Sequence, residues 1–314
     1  MRRVTHRLSP PSQRGVAVVT AMFLTTLAVT IVASLFWQQQ LQVRSIENQR
    51  LQLQQQWVLR GALDWARLIL REDARNSARD DLSEPWAMPL APTRLDRYVD
   101  SAASGGDAGS ATLSGAIQDA QGKFNLTNLA TQDSINAPEV EALARLLSLL
   151  REDPALANLI AQQVAAASRA ALNPRPDTAR PIGLTQLDDL LTVPGCTPQV
   201  INAMRPHVVI LPVNTPVNVN TASPEVLAAR VPGLSLADAN TLTNSRRQAS
   251  FRDLADLAAR LPNRTIGVNS SRLGVASSYF MVTGRVTIRH STLQIQALVE
   301  RQPSATRLLW VKEI

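Results

Sequence analysis

One cysteine, three histidines and 4% aromatic residues are little to build chemistry from in a chain of 314 residues. Cys196 alone closes no intrachain disulfide and founds no multi-cysteine zinc or iron–sulfur site. His6, His207 and His290 stand far apart in sequence and read as surface or packed histidines, not ligands. No Walker A loop or dinucleotide fingerprint occurs. The stretch Gly233-Leu234-Ser235-Leu236-Ala237 falls one residue short of a nucleophile elbow and lies between helices instead of after a strand. No catalytic constellation is left, and the chain reads as a non-enzyme. The length suits two modest globular domains and an appendage, with few aromatics to fill several dense cores.

Charge is also missing where it matters. Residues 15–43 carry none, and no acidic residue precedes Glu47. The formal net charge is +7, but Arg2, Arg3, Arg7 and Arg14 crowd the first 15 positions. Taking those four from 32 basic residues leaves 28 against 25 acidic ones, a weak field for capturing phosphates. The basicity is therefore mostly an N-terminal signal.

Residues 16–37 are an almost unbroken run of Val, Ala, Leu, Thr, Met and Phe. At ~1.5 Å per residue they span a hydrocarbon core of ~30 Å. The preceding arginines place Met1 in the cytoplasm and everything after Gln38 on the far side. Hydropathy by itself leaves an ordinary signal anchor and a cleaved secretory signal open. Proline is absent between Gly15 and Pro85, so the apolar run should continue as one stem helix. Over residues 16–71 it would reach ~84 Å. Ile46, Leu53, Trp57, Gly61, Trp65 and Leu68 recur at helical spacing and predict its packed stripe.

Residues 101–115, rich in Ser, Ala and Gly, read as a loop up to Thr112. Residues 113–129 (LSGAIQDAQGKFNLTNL) alternate around Gln121-Gly122 and predict a hairpin. Helical periodicity follows over 139–151 and 154–172, then a proline-bounded linker at 173–181. An internal repeat comes next. LLTVPGCTPQVINAM and LAARVPGLSLADANTL share apolar-x-Val-Pro-Gly followed by an amphipathic helix, with Gly195 and Gly233 as hairpin glycines. Both look like helix-hairpin-helix units, the second introduced by Asn218-Val219-Asn220-Thr221-Ala222-Ser223. Residues 279–289, 292–301 and 307–312 alternate polar and apolar and predict three strands that close a sheet with the 113–129 stretch on the stem helix.

Helix-hairpin-helix units can hold a DNA phosphate on hairpin N–H groups, so an anchored periplasmic DNA-binding protein of the competence type is the rival reading. Against it, Thr197 and Ser235 replace the second hairpin glycine, and Asp238, Asp253 and Asp256 sit among Arg246, Arg247 and Arg252. The adjacent acid pairs Asp80-Asp81 and Asp188-Asp189 read as solvated, no calcium-loop motif occurs, and no metal or cofactor is assigned.

The N-terminus resembles the class III signal of type IV prepilins and type II secretion pseudopilins, a short basic leader ending in glycine. That resemblance implies cleavage by prepilin peptidase between Gly15 and Val16, and methylation. Most members carry Glu at the fifth mature position, where it neutralises the amine of the subunit ahead; here that position is Thr20. A subunit without this carboxylate cannot pair with a neighbour in front, which suits a tip position.

Together with Trp65-Ala66, residues 80–86, LSGAIQDAQGKFNLTNL, VNVNTAS and the β-rich end, the chain resembles the protein K family of type II secretion minor pseudopilins. The resemblance implies an α+β pseudopilin fold, a long N-terminal helix packed on an antiparallel sheet, with an inserted all-α domain of helix-hairpin-helix units. The divisions are a leader at 1–15, a transmembrane helix at 16–37, the stem and first part of the pseudopilin domain at 38–128, the insert at 129–269 and completing strands at 270–314. Implied partners are minor pseudopilins I and J, then H and major pseudopilin G, prepilin peptidase and the inner membrane, with secreted substrates or the outer-membrane secretin as further contacts. No nucleic acid is expected. Family members often bind calcium through an Asp-rich run after the second insert helix; residues 162–181 here hold only Asp177 as an acid.

Overall fold

The computed structural model describes residues 14–95, 111–131, 134–172, 183–261, 267, 271–289 and 291–314. The leader arginines before Arg14, His6, the loop over 101–110, the linker residue Asp177 and His290 lie outside them. Contacts divide the chain into two compact units, Met1–Gln56 and Trp57–Ile314.

In chain order the elements are α1 (Arg14–Asn76), β1 (Leu90–Arg94), β2 (Thr112–Asp119), β3 (Phe124–Asn125), β4 (Ala130–Thr131), β5 (Ser134–Ile135), α2 (Ala137–Leu149), α3 (Leu156–Leu172) and α4 (Pro198–Met204). There follow β6 (Val208–Val209), β7 (Val217–Asn218), α5 (Pro224–Arg230), α6 (Leu236–Gln248), α7 (Leu254–Arg260), β8 (Leu273–Gly274), β9 (Tyr279–Ile288), β10 (Ser291–Arg301) and β11 (Thr306–Glu313). The uninterrupted α1 follows from the absence of proline, and it ends within ten residues of Pro85.

In the second unit five antiparallel strands form a sheet in the order β1-β2-β9-β10-β11. The period-two segments at the C-terminal end become β9 to β11 as their alternation predicts. Leu63, Ala66 and Leu70 of α1 are buried with Trp86, Phe280, Val282, Ala297 and Val299. Each buried leucine contributes ~1.5–3 kcal/mol as an upper bound. The helix thus meets the sheet through Leu59, Leu63, Ala66 and Leu70 and not through the predicted stripe. Trp57 and Trp65 are 68% and 52% exposed, and Ile46, Leu53, Gly61 and Leu68 are exposed as well. Two apolar stripes run along one helix here, and the sheet takes the slimmer one, free of indoles, which lets the backbones approach.

Residues 113–129 do not form the predicted hairpin. The chain leaves β2 through a tight 3-10 turn, Ala120–Gly122, capped by Asp119, whose Oδ1 accepts from the Gln121 N–H at 2.7 Å. It then runs forward, and β3 pairs in parallel with β6. Burial explains the direction. Phe124, Leu126 and Leu129 sit in the helical core with Leu143, Leu146, Ile160 and Met204. The side of β2 that a hairpin would have occupied belongs to β1, which the sequence reading passed over.

The helices between β3 and β9 build two further cores, one around α2, α3 and α4 and one around α5, α6 and α7. Cys196 is buried in the first, and burial raises its thiol pKa, so it serves as a small apolar side chain.

Candidate functional site

In the first unit, α1 presents an uncharged surface over residues 16–37, and none of its apolar side chains there is buried within the chain. The one charged-to-apolar junction is Arg14-Gly15-Val16, at the first turn of the helix. Threonines within the run spend their hydroxyls locally. Thr20 Oγ1 donates to the carbonyls of Val16 and Ala17 at 3.0 Å each, and Thr25, Thr26 and Thr30 do the same one turn back. A hydroxyl bonded to its own backbone carries no unmet polarity into lipid. Thr20 therefore leaves the fifth position after Gly15 without a charge and with its donor already used.

In the second unit, the VNVNTAS segment forms a polar hub. Asn218 Nδ2 donates to the Asp80 carbonyl at 3.0 Å, to Asp119 Oδ2 at 2.9 Å and to Ser277 Oγ at 3.2 Å. Thr221 Oγ1 and Ser277 Oγ also donate to Asp119 Oδ2, at 2.6 and 2.7 Å. Asn220 holds Phe251 by both backbone groups, donating to its carbonyl at 3.0 Å and accepting from its N–H at 2.8 Å. One short segment thus ties the end of α1, the end of β2 and the start of β9 to the helices. Burial raises the Asp119 pKa, and its hydrogen bonds to Ser277, Thr221, Gln121 and Asn218 act against that rise. Two asparagines in VNVNTAS were the available signal for this hub.

The hairpin glycines behave alike. Gly195 and Gly233 have φ of 87° and 85°, a left-handed conformation that glycine adopts without a steric penalty. The residues in place of a second glycine are helix caps. Thr197 Oγ1 accepts from the Val200 N–H at 3.3 Å, and Ser235 Oγ accepts from the Asp238 N–H at 3.1 Å. Caps take up N–H groups that a phosphate would need, and Asp238 adds negative charge at the second hairpin. The neighbouring arginines are engaged too. Arg246 donates to the Val219 carbonyl at 2.6 Å, and Arg260 pairs with Asp256 at 2.7 Å.

The acid pairs differ from their sequence reading. Asp80 and Asp81 are both buried, not solvated. Asp189 accepts from the N–H groups of Thr185 and Gln186 at 2.8 and 3.0 Å, and Asp188 pairs with Arg205 at 2.6 Å. The last residues of α3, 162–172, carry no acidic residue. His207 is partly buried with Nδ1 3.0 Å from Ser223 Oγ.

Comparison with known proteins bears on this arrangement. Two family profiles, both described as type II secretion system (T2SS), protein K, match residues 122–213 and 217–276, the helical cores and the hub. Over those residues the chain is similar to the type II secretion system protein K family. Its role is that of a minor pseudopilin in type II secretion. The type II secretion system protein K of Pseudomonas aeruginosa strain PAO1 is 27% identical over 301 residues, covering 88% of this chain and 85% of the relative. The crystal structure of the GspK-GspI-GspJ complex from the enterotoxigenic Escherichia coli type 2 secretion system matches with a TM-score of 0.67 and 22% identity, over 85% of this chain and 98% of that one. That likeness shows the α+β fold, a long N-terminal helix with an antiparallel sheet and helices.

Proposed function

We propose that this chain is processed between Gly15 and Val16, anchored in the inner membrane by residues 16–37 with a short cytoplasmic N-terminus, and assembled with minor pseudopilins I and J at the tip of the periplasmic pseudopilus. The observation that carries the reading is the Arg14-Gly15-Val16 junction at the head of an uncharged helix whose polar hydroxyls are satisfied internally. Such a helix packs laterally through small residues, here Ala17, Thr20, Ala21, Thr25, Thr26 and Ala28. The partner assignment draws on the E. coli complex, in which GspK is found with GspI and GspJ. The missing carboxylate at Thr20 favours the tip, because a subunit with no neighbour ahead has no amine to neutralise.

On this reading the subunit is structural and catalyses nothing, and its hairpins scaffold the helical cores instead of gripping nucleic acid. The deciding measurement is the N-terminal sequence of the chain purified from membranes that contain prepilin peptidase. A start at Val16 is expected. A chain that still begins with its arginines refutes the processing step and the filament role with it.

A further inference from the structure

The C-terminal end of α6 borders a polar cavity of about 780 Å³ with a strongly basic wall. Arg246 and Arg247 line it from the last turn of α6, Arg252 from the segment before α7, Arg260 from the last turn of α7 and Arg79 from the chain just after α1. Asp81 is the one acid among the lining residues. A basic side chain in the last turn suits the dipole of any helix, which accounts for Arg246, Arg247 and Arg260 one at a time. It does not account for Arg79 and Arg252 converging on the same space.

The local acids fall short of this charge. Asp256 is taken up by Arg260, accepting from its Nε at 2.9 Å and its Nη2 at 2.7 Å. Asp81 accepts from the Ser83 N–H through Oδ1 at 2.9 Å and places Oδ2 3.6 Å from the Arg79 Nε, while Asp253 caps α7. Even with all three acids counted, the five guanidinium groups leave two positive charges unmatched. A second observation is independent of the cavity's shape. Arg246 donates through Nη1 to the Val219 carbonyl at 2.6 Å, yet its Nε is sealed from solvent without a hydrogen-bond partner. Its pKa is lowered to about 10, first by burial and then by Arg247, and no carboxylate opposes the shift. The Arg247 guanidinium is exposed and has no ion pair or hydrogen bond to the described residues. A cation desolvated beside another cation calls for an anion.

We propose that this cavity binds an acidic peptide segment of another protein, with its carboxylates on Arg79, Arg247 and Arg252. These three arginines are exposed, whereas Arg246 and Arg260 are half-buried. Planar guanidinium groups match carboxylates two bonds at a time. Asn240, Asn244 and Gln248 follow at one-turn spacing along α6, and their amides offer donors and acceptors to a peptide backbone. The volume is far more than one small ion fills, and none of the lining residues is aromatic, so the bases of a nucleic acid would find no stacking platform. Such a site requires neither processing at Gly15 nor filament assembly, and its absence would leave that role untouched.

The full-length chain in a nonionic detergent, which brings no competing charge, is titrated into fluorescein-labelled hexaglutamate and followed by anisotropy. Binding is expected, with an affinity that falls as salt rises. Arg247→Glu with Arg252→Glu should weaken it at least about tenfold. Arg285→Glu with Arg307→Glu changes the net charge equally, on β9 and β11, and should leave binding as it is. All four side chains are exposed, so both variants keep the fold. A parent chain that ignores hexaglutamate overturns the proposal, as does an equal loss in both variants, which would make overall charge responsible. A single-stranded oligonucleotide of matched charge that binds more tightly than the peptide, and is lost in the Arg247→Glu, Arg252→Glu variant, would assign the cavity to phosphates and overturn it too.

Discussion

Gly284 of β9 lies directly beneath Leu59 of α1, and a Cβ added there would stand 3.0 Å from Leu59 Cδ2. Its strand partner is another glycine, Gly115 of β2. The pair lowers the sheet surface beneath Leu59.

Gly284→Val should therefore force α1 away from the sheet and destabilise the chain by ~1–3 kcal/mol, the usual penalty of overpacking. Denaturant unfolding of the detergent-solubilised protein measures it. A variant as stable as the parent would show that Leu59 yields freely.

Glu139 and Arg230 form a buried ion pair, with Arg272 3.5 Å from the same carboxylate and the Arg230 guanidinium 5.0 Å from the Phe124 ring. Arg230→Met should cost ~3–5 kcal/mol, because the Glu139 carboxylate loses its direct partner inside the protein. The double variant Glu139→Gln with Arg230→Met should recover much of the loss. A double variant no better than the single one would assign the cost to packing on Phe124 instead of charge.

Gly195→Ala should destabilise by ~1–2 kcal/mol from its left-handed backbone alone. A Cβ there also meets Leu156 Cδ2 at 2.8 Å, so the measured loss should exceed that figure. Gly233→Ala, whose φ is nearly the same, should carry the same backbone strain, and denaturant unfolding of the two variants measures both losses.

His207 has its pKa lowered from 6.5, chiefly by burial, with Glu225 raising it and Lys123 lowering it. A base whose folded pKa is depressed is neutral in the fold, so its contribution is complete above pH 6.5 and is lost as pH falls through the folded pKa. The Tm of the parent should drop more steeply than that of His207→Gln below pH 6.5. Parallel profiles would refute this.

Several elements were readable because local rules and tertiary demands agree. Strands β9 to β11 alternate over part of their length, α2 and α3 carry one apolar face, and the Val-Pro-Gly turns announce their left-handed glycines. Others were not. The strand β1, LAPTR, is mostly exposed and holds a proline, so it shows no alternation. Asp80-Asp81 looked like solvated acids because the burial of Asp80 is created by Ser277 and Arg301, about 200 residues further along.

Composition and order of residues alone determined the uncharged N-terminal rod, the glycine at its head, the absent acid at Thr20 and the paired hairpins, since each depends on neighbours within a few positions. Only the tertiary structure decided which stripe of α1 is buried, that the chain runs forward after β2, and that Asp73, Asp80 and Glu84 meet beside Arg301. Those outcomes depend on contacts between distant segments, and periodicity along a chain says that a face is apolar without saying what will cover it.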